Sequence, residues 1–524
     1  MSVPAGALKS SSAVFPSEII NKLLLCGTLV LLAFALGCGS NGSSVTGPYS
    51  VSSLKGSYVL RMSGNDTFLD TSNNLQSESY TETLVFTADG AGNLTGTEDF
   101  NSSLPAAGFA AATPFTGNYN IARDGNGSMQ INFGSPGSGQ INLSITLAST
   151  AKFYAVEADA FANFSANAAG EGVKQDTAAI ASAPTGTFVT RVHQSLPAIS
   201  SATVGALTST NGTTVTGTID VLRNNVLLPQ LTLTSGSFSA PDSNGRGTLT
   251  YTDNAPSPVT TTYQYYIVDA NTFWLMGSDP TLLGTGNAEK QSTGSPALAG
   301  NYVFGSSGDT DANFGGVRSV GVFTAGGGTL SAGTLDSVQD GTSTLGQAFT
   351  GTFTQNSNGR VDATVIPAGG GAVPEIFWMV SPSRAFFLVA ATNKVEDGTI
   401  DLQQQNTFSQ TDFKSQFGYA LVMDGYNPNN FLTRIGTLFA DGNGNLNLNE
   451  EANSFVPGSL PGVINDPPTL SGSYQVESDG RVTASISTIS SNLILYMVSP
   501  GQAYILQNDP GVEISGQITQ QTSP

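Results

Sequence analysis

The sequence is poor in the residues on which several protein classes depend. Its 524 residues include one histidine and two cysteines, and only 11% of them are charged. Helical bundles and coiled coils rely on Ala, Glu, Lys, Leu and Arg, which this chain replaces with Gly, Thr, Ser and Asn. Lys and Arg total 18 against 38 Asp and Glu. Because no basic cluster occurs, nucleic-acid binding is excluded, since it needs a basic surface that displaces counterions.

The chain does contain enough apolar material for several packed cores. Hydrophobic residues make up 39% of it, with 28 Phe and 15 Tyr, so wholesale disorder is excluded. At roughly 100–200 residues per domain, three to five domains are expected. The formal charge of −20 favours solubility and repels anionic partners.

The N-terminal segment has the features of a secretory signal peptide. Lys9 and Lys22 precede an apolar run over residues 23–36, which ends at Gly37 and Cys38. The run is shorter than the roughly 20 residues needed to cross a bilayer, so cleavage is favoured over a retained membrane helix. A polar, flexible stretch follows in residues 39–44.

The segment Ala35-Leu36-Gly37-Cys38 resembles the lipobox of bacterial lipoproteins, although Ala35 stands where Leu is commonest. In that family the cysteine is lipidated and becomes the first residue of the mature chain. The resemblance therefore implies removal of residues 1–37, lipidation of Cys38 and attachment to the membrane through an N-terminal lipid anchor. Gly39, in place of the Asp associated with inner-membrane retention, implies sorting to the outer membrane, with the protein either periplasmic or surface-exposed.

Four copies of one unit follow. An opening segment that ends in an aromatic residue recurs at Leu54–Tyr58, Pro184–Phe188, Leu298–Tyr302 and Phe413–Phe417. A second marker recurs at Phe115–Tyr119, Thr234–Phe238, Phe349–Phe353 and Leu470–Tyr474, and each is followed by a turn: Asp124-Gly-Asn126, Asn244-Gly-Arg246, Asn358-Gly-Arg360 and Asp479-Gly-Arg481. Each unit closes with a Gly and then a Gln: Gln175, Gln291, Gln403 and Gln520. The repeat predicts β units over 54–175, 184–291, 298–405 and 413–521. The N-terminal segment predicts a signal peptide over 1–37, and the resemblance to a lipobox implies a lipidated Cys and flexible tether over 38–53.

Short alternating runs predict strands. The last unit contains eight of them, and Val482–Ser487, for example, alternates apolar and polar residues, which places one face inward. After Cys38, no segment of ten or more residues shows the spacing of apolar residues that is typical of an amphipathic helix. We predict an all-β protein of four tandem units, each of about eight antiparallel strands and barrel-like, because closure removes edge strands. Two alternatives are β-sandwiches and an eight-bladed propeller; the propeller fits less well because the halves of a unit hold about three and five strands.

An acid recurs at one place in every unit. Asp99, Asp220 and Asp336 each end a Gly-Thr-x-Asp segment, and Glu451 occupies the slot in the fourth unit. These residues are candidates for a metal or ligand site in each barrel mouth. The alternative, which we favour because no second acid recurs nearby, is a carboxylate that accepts backbone N–H groups at a strand end.

No motif indicates catalysis. His193 stands alone on the opening strand of the second unit, so neither a catalytic triad nor a zinc site with two histidines can be built around it. The Asp441–Asn449 segment places oxygen-bearing side chains at alternate positions, as a calcium loop does. It lacks the Gly and the Glu of that motif at positions six and twelve. We therefore predict no catalytic residue, cofactor or metal.

These observations favour a non-enzymatic envelope lipoprotein that serves in binding, adhesion or spacing, with a surface polysaccharide or a protein as partner. Several weak sites on one tether would gain avidity. One alternative is a carrier that holds a small apolar ligand inside its barrels. A carbohydrate-active enzyme is the third hypothesis, because acids distant in sequence can meet in space.

Overall fold

A computed structural model describes residues 47–69, 74–104, 108–134, 139–157, 159–161, 164–194, 200–223, 226–279, 282–294, 296–310, 315–391, 394–427, 430–455, 463–464 and 469–524. The predicted signal peptide and Cys38 lie outside these residues. Helical structure within them consists of three 3₁₀ turns, at Val51–Ser53, Ala179–Ala181 and Gln410–Asp412. Among the described residues, no helix has the length and hydropathy needed to span a membrane.

The first barrel (barrel 1) is a single antiparallel sheet that closes on itself through pairing of its first and last strands. Its strands are β1 (Lys55–Leu69), β2 (Leu75–Asp89), β3 (Asn93–Ser102), β4 (Phe109–Ile121), β5 (Asn126–Phe133), β6 (Gln140–Leu147), β7 (Lys152–Glu157), β8 (Ala160–Phe161) and β9 (Phe164–Lys174). The short β8 pairs only with β9, so eight strands form the wall.

Barrels 2 and 3 each contain eight strands in sequence order. Barrel 2 contains β10 (Gly186–Gln194), β11 (Ser201–Ser209), β12 (Thr216–Arg223), β13 (Val226–Phe238), β14 (Arg246–Asp253), β15 (Thr260–Asp269), β16 (Thr272–Gly277) and β17 (Gly284–Lys290). Barrel 3 contains β18 (Gly300–Thr310), β19 (Gly316–Gly326), β20 (Thr329–Gln339), β21 (Thr342–Gln355), β22 (Arg360–Pro367), β23 (Val373–Ser381), β24 (Arg384–Val389) and β25 (Lys394–Leu402).

Barrel 4 repeats the pattern, with a two-residue strand added beside β28. Its strands are β26 (Tyr419–Asn427), β27 (Asn430–Ala440), β28 (Asn445–Phe455), β29 (Val463–Ile464), β30 (Leu470–Val476), β31 (Arg481–Ile486), β32 (Ser491–Ser499), β33 (Gln502–Gln507) and β34 (Glu513–Gln520). The all-β prediction with four barrel-like units of eight antiparallel strands is confirmed. Sandwiches and propeller blades are excluded because each sheet closes on itself.

The period-two alternation sorts side chains between the inside and the outside of each barrel. On β31, Val482, Ala484 and Ile486 are buried in the core of barrel 4, and the residues between them are less buried. One alignment of the repeat was wrong. Tyr419, not Phe417, is the counterpart of Tyr302, because both occupy the same position in the ladder and donate a hydroxyl to a proline carbonyl, of Pro500 and Pro382 respectively.

Apolar side chains on the outer faces join each barrel to the next, and barrel 4 to barrel 1. Between barrels 1 and 2, Val59 and Val85 pack against Tyr266, Val268, Trp274 and Met276, and between barrels 2 and 3, Val189, Ala202, Val204 and Leu222 pack against Ile376, Trp378, Val380, Phe386, Leu388 and Val395. Between barrels 3 and 4, Val303, Val320, Val322 and Val338 pack against Ile494, Tyr496, Val498 and Leu506. Between barrels 4 and 1, Ala420, Val422 and Ile435 pack against Ala148, Tyr154 and Val156. Because the last patch joins barrel 4 to barrel 1, the barrels form a closed ring.

A glutamine after each barrel bonds to the next one. The side-chain amide of Gln291 donates to the carbonyls of Asn358 (3.0 Å) and Met379 (2.8 Å). The same pair of bonds links Gln175 to Asn244 and Ile267, Gln403 to Asp479 and Met497, and Gln521 to Asp124 and Leu147. The last counterpart is therefore Gln521 and not Gln520, and its bonds to barrel 1 give the ring fourfold pseudo-symmetry.

Candidate functional site

The recurring aspartates lie at the joints between barrels. Asp220, which is fully buried on β12, receives two hydrogen bonds from Arg360 of barrel 3, from Nε (2.8 Å) and Nη2 (2.9 Å). The indole Nε1 of Trp378, also of barrel 3, donates to the same carboxylate (2.7 Å). The backbone N–H of Gln230 in barrel 2 also donates to Asp220, at 2.9 Å from Oδ1. We call this arrangement the aspartate clamp.

The clamp recurs at two more joints. Asp336 of barrel 3 accepts from Arg481 Nε (2.7 Å) and Nη2 (2.9 Å) and from the Tyr496 hydroxyl of barrel 4 (2.5 Å). Asp99 of barrel 1 accepts from Arg246 and Tyr266 of barrel 2. Each aspartate also accepts a backbone N–H of its own barrel, from Gly346 and Ala112 respectively. The acids therefore do accept backbone N–H groups, but at register shifts within β3, β12 and β20 and not at strand ends, and they also bridge barrels.

Because these ion pairs are buried, each charge requires its partner. A buried charge is tolerated when it is paired and hydrogen-bonded, and removal of one partner leaves the other uncompensated. Burial alone would lower the pKa of Arg360, but its hydrogen bonds to Asp220 and the attraction of that carboxylate outweigh burial, so the pKa rises. With four donors on the two oxygens of Asp220, the geometry supports a structural role for this acid.

The fourth acid lies at the joint that closes the ring, and its surroundings differ. Asn126 of barrel 1 occupies the place that Arg246 holds in barrel 2. Glu451 instead forms a hydrogen bond with Ser144, and burial raises the pKa of its carboxyl. Nearby, the Asn449 side chain donates to Asp124 (2.9 Å). The closing joint therefore has amide and hydroxyl hydrogen bonds at this place, where the other joints have a carboxylate–guanidinium pair.

His193 also bridges barrels. It is half-buried on β10, where its Nδ1 lies 2.5 Å from Asp397 Oδ1 and its Nε2 lies 3.5 Å from Asp309 Oδ2, both in barrel 3. Burial alone would lower the pKa of His193, but the two carboxylates outweigh it and raise the pKa to about 10. The imidazole is therefore a cation at neutral pH, which suits an interface ion pair better than a general base.

A cavity of about 510 Å³ at the centre of the ring is lined by all four barrels. Its basic lining residues are Arg61, Lys152, Arg191, His193, Arg318 and Arg384. Carboxylates hold several of them: Lys152 pairs with Glu171 (2.9 Å), and Arg384 pairs with Glu289 (2.8 Å) and Asp401 (2.8 Å). This charge compensation argues against a strong anion site in the cavity.

A second cavity, of about 270 Å³, lies inside barrel 3. Its wall contains five phenylalanine rings, Phe304, Phe323, Phe349, Phe377 and Phe387, together with Leu330, Leu335, Val365, Val373, Val389 and Ile400. Phe377 and Phe387 meet edge to face, with ring centroids 5.9 Å apart. An apolar cavity with a few polar groups is the usual form of a small-molecule site, and this one lies just below the usual range of about 300–1,000 Å³.

The titratable residues of this lining are Glu375, Lys394 and Glu396. Lys394 Nζ forms an ion pair with Glu396 Oε2, and the hydroxyls of Ser306 (2.6 Å) and Ser319 (2.9 Å) donate to Glu396 Oε1. Burial, together with the negative charge of Glu396, raises the pKa of Glu375 to about 8. A perturbed carboxyl group in an apolar cavity is a frequent mark of a functional site.

Barrel 1 is filled differently, with three pairs of buried acids. Asp66 pairs with Glu78, Glu82 with Glu98, and Glu157 with Asp159. Burial raises the pKa of every one of these carboxyl groups, to about 9 for Asp66, about 7 for Glu98 and about 6 for Asp159. Each pair is thus expected to share a proton at neutral pH.

The same interior positions in barrel 4 hold an ion pair. Arg434 bonds to Glu450 at the positions that Glu82 and Glu98 occupy in barrel 1. Within the described part of the chain, no group of three or more His, Cys, Asp or Glu side chains is arranged to hold a metal ion. Asp441, from the loop with calcium-like spacing, accepts the backbone N–H groups of Asn443 (2.7 Å) and Asn445 (3.0 Å) in a local turn.

Comparison with known proteins identifies no family. No protein-family model and no curated protein matches the chain. Among solved structures, the intact Ap-TbpB with its N and C lobes aligns over 66% of this chain and 76% of its own at 9% identity, with a TM-score of 0.18. Two mutants of the vaccine antigen Transferrin Binding Protein B from Haemophilus parasuis Hp5 align over the same shares at 10% and 8% identity, with TM-scores of 0.19 and 0.18. Scores of this size carry no argument about function.

Replacement of Asp220 by Asn should lower the free energy of unfolding by about 3 kcal/mol, because it removes the buried charge that pairs with Arg360 and leaves only the exposed carboxylate of Asp362 beside it. Denaturant unfolding followed by circular dichroism measures the change. Glu451→Gln is the matched control at the closing joint and should cost less than about 1 kcal/mol, since no guanidinium depends on it. Loss of ligand binding with unchanged stability in Asp99→Asn, Asp220→Asn or Asp336→Asn would contradict the clamp.

The acid pairs of barrel 1 should make that barrel less stable as the pH rises. Their pKa values are higher in the folded state than in the unfolded state, so the stabilisation is complete below about pH 4 and is lost as the pH passes about 6 to 9. Hydrogen exchange should show β2, β3 and β7 losing about tenfold or more protection between pH 5 and 9, after correction for the intrinsic rate. Glu82→Gln should reduce this loss. An equal loss in the strands of barrel 2 would refute the assignment to these acids.

Proposed function

We propose that this protein is a non-enzymatic lipoprotein of the bacterial cell envelope that binds a small, largely apolar ligand inside barrel 3. The observation that carries the binding function is the cavity of about 270 Å³ with its five phenylalanine rings. Closed barrels of eight strands have interiors just wide enough for side chains or for one small ligand. The envelope location rests on the lipobox-like segment that ends at Cys38.

The uses of the other polar groups support binding over catalysis. Asp99, Asp220 and Asp336 are engaged in clamps, and His193 is held between two carboxylates of the neighbouring barrel. Enzymes need a nucleophile or base poised to react, with a pKa matched to its task. Glu375 is the perturbed acid that faces the barrel 3 cavity, and it is suited to contact a ligand there.

The ring favours binding over spacing. A spacer gains reach when its units follow one another in a line, whereas here barrel 4 returns to barrel 1. The Tyr49 hydroxyl, just before β1, lies 2.7 Å from the carbonyl oxygen of Thr522, so the two ends of the described chain meet. The anchor at Cys38 would thus hold a compact ring near the membrane, where a surface polysaccharide or protein partner would remain accessible to it.

A larger side chain inside barrel 3 should abolish binding. Leu335→Phe places a ring in the cavity, and 2-phenylethanol, a small neutral probe, should bind to the native protein but not to this variant, as measured by calorimetry. Ile219→Phe is the matched control, because Ile219 holds the equivalent position in the packed core of barrel 2. It should keep the binding and lose stability by about 1–3 kcal/mol from overpacking. Equal binding by the native protein and Leu335→Phe would place the ligand elsewhere.

The anchor has its own test. Cys38→Ala should abolish lipidation and release the mature protein from the membrane fraction, because a lipid chain requires the thiol. Metabolic labelling with a fatty-acid analogue, followed by fractionation of the envelope, measures both effects. Cys26→Ala, within the segment that cleavage removes, is the control and should have no effect. Membrane association of the Cys38→Ala protein without lipid would overturn the lipoprotein assignment.

A further inference from the structure

We propose that the ligand of barrel 3 carries one basic amino group, which the Glu375 carboxylate binds while the phenylalanine rings surround the apolar remainder. This inference rests on the proposed function, since it names the chemistry of the ligand in that cavity. It combines three observations: which acid is left without a partner, what charge the cavity wall carries, and how the other three barrels are built at the same positions.

Glu375 and Glu396 point into the same cavity but have different partners. Both lie opposite Val389 in the ladder, on the two strands that flank β24, so their backbones are about 10 Å apart. Glu396 is satisfied by Lys394, Ser306 and Ser319. Among the described residues, no side chain or backbone group forms a hydrogen bond or ion pair with the Glu375 carboxyl. Of the charged groups in this lining, Glu375 is therefore the one available to a ligand.

The net charge of the cavity wall indicates the sign of the charge on that ligand. Two carboxylates and one ammonium group leave a formal charge of −1 inside a largely apolar cavity. An anionic ligand would meet both carboxylates, and the one ammonium is already bound to Glu396. A monocation would neutralise the wall, and phenylalanine rings tolerate an ammonium group against their faces. In the absence of a cation, Glu375 takes up a proton, in keeping with its pKa of about 8.

The other barrels show that the fold does not require these acids. The positions of Glu375 and Glu396 are occupied by Leu143 and Ala168 in barrel 1, Tyr263 and Gly284 in barrel 2, and Leu493 and Ile514 in barrel 4. All six residues are uncharged, and all four barrels close in the same way. The acids of barrel 3 therefore contribute something other than closure.

The test compares three probes of similar size on the full mature chain: 2-phenylethylamine, 2-phenylethanol and phenylacetate. Calorimetry at pH 7.5 should show the amine binding at least tenfold more tightly than the alcohol, with phenylacetate weakest. Glu375→Gln should reduce the affinity for the amine to about that of the alcohol. Glu157→Gln, a buried acid inside barrel 1, is the control and should change none of the three affinities.

A second measurement uses the native protein alone and does not depend on how a variant folds. Because binding of the protonated amine releases a proton from Glu375, the affinity for the amine should increase about tenfold for each unit by which the pH is raised toward 8. The affinity for the alcohol should stay constant over the same range. Lys394 and Glu396 are the other titratable groups that face Glu375, and they should remain charged over this range as an ion pair.

The outcomes separate the two proposals. Equal affinities for the amine and the alcohol, or an amine affinity independent of both pH and Glu375, would overturn the inference and leave ligand binding in barrel 3 intact. Binding of none of the three probes, or equal binding by Leu335→Phe, would overturn the proposed function itself.

Discussion

The joints between barrels depend on burying an aspartate of one barrel against an arginine of the next. Asp220 and Arg360 are both almost inaccessible to solvent, and Asp220 is the buried partner of Arg360, whose other carboxylate partner, Asp362, is exposed. Since the same aspartate also accepts a backbone N–H of its own barrel, the pair sets the orientation of one barrel on the next as well as their contact. The apolar patches and the glutamine bonds repeat at all four joints. The clamps repeat at the three joints that follow chain order, and the joint between barrels 2 and 3 has further ion pairs, of His193 with Asp397 and of Arg384 with Glu289.

Much of this fold was predictable from the sequence, because its signals are local. The alternation along Val482–Ser487 and the repeated turns specify short antiparallel strands, and the recurrence of markers specifies four units. The errors were also local: Phe417 was aligned in place of Tyr419, and Gln520 in place of Gln521. In each case the ladder register, which depends on partner strands, identifies the true counterpart.

The clamps were missed because each acid was compared with residues of its own unit. Its partner lies one unit later, in the turn that reads Asn-Gly-Arg or Asp-Gly-Arg. The sequence does carry the signal: aspartate occupies the acid position in units 1 to 3, and arginine follows the turn in units 2 to 4. Unit 4 has Glu451 and unit 1 has Asn126, and both lie at the closing joint, where Glu451 bonds to Ser144 and Asn126 accepts from Thr437. The cavity of barrel 3 had no such signal, because its volume depends on how the side chains of eight strands fill one interior.

External clamps also explain how one barrel can hold an open cavity. An empty apolar cavity costs roughly 24 cal/mol per Å³ in core-truncation experiments, so an unfilled barrel would be a weak point in isolation. Barrel 3 is clamped on both sides, through Arg360 and Trp378 to barrel 2 and through Asp336 to barrel 4. The two faces of strand β23 have different roles. Trp378 faces outward and takes part in a clamp, whereas Glu375 and Phe377, on the opposite face, line the cavity. Because successive residues of a strand point to opposite faces, the interior of this barrel could diverge for a ligand while its outer wall stayed fixed in the ring.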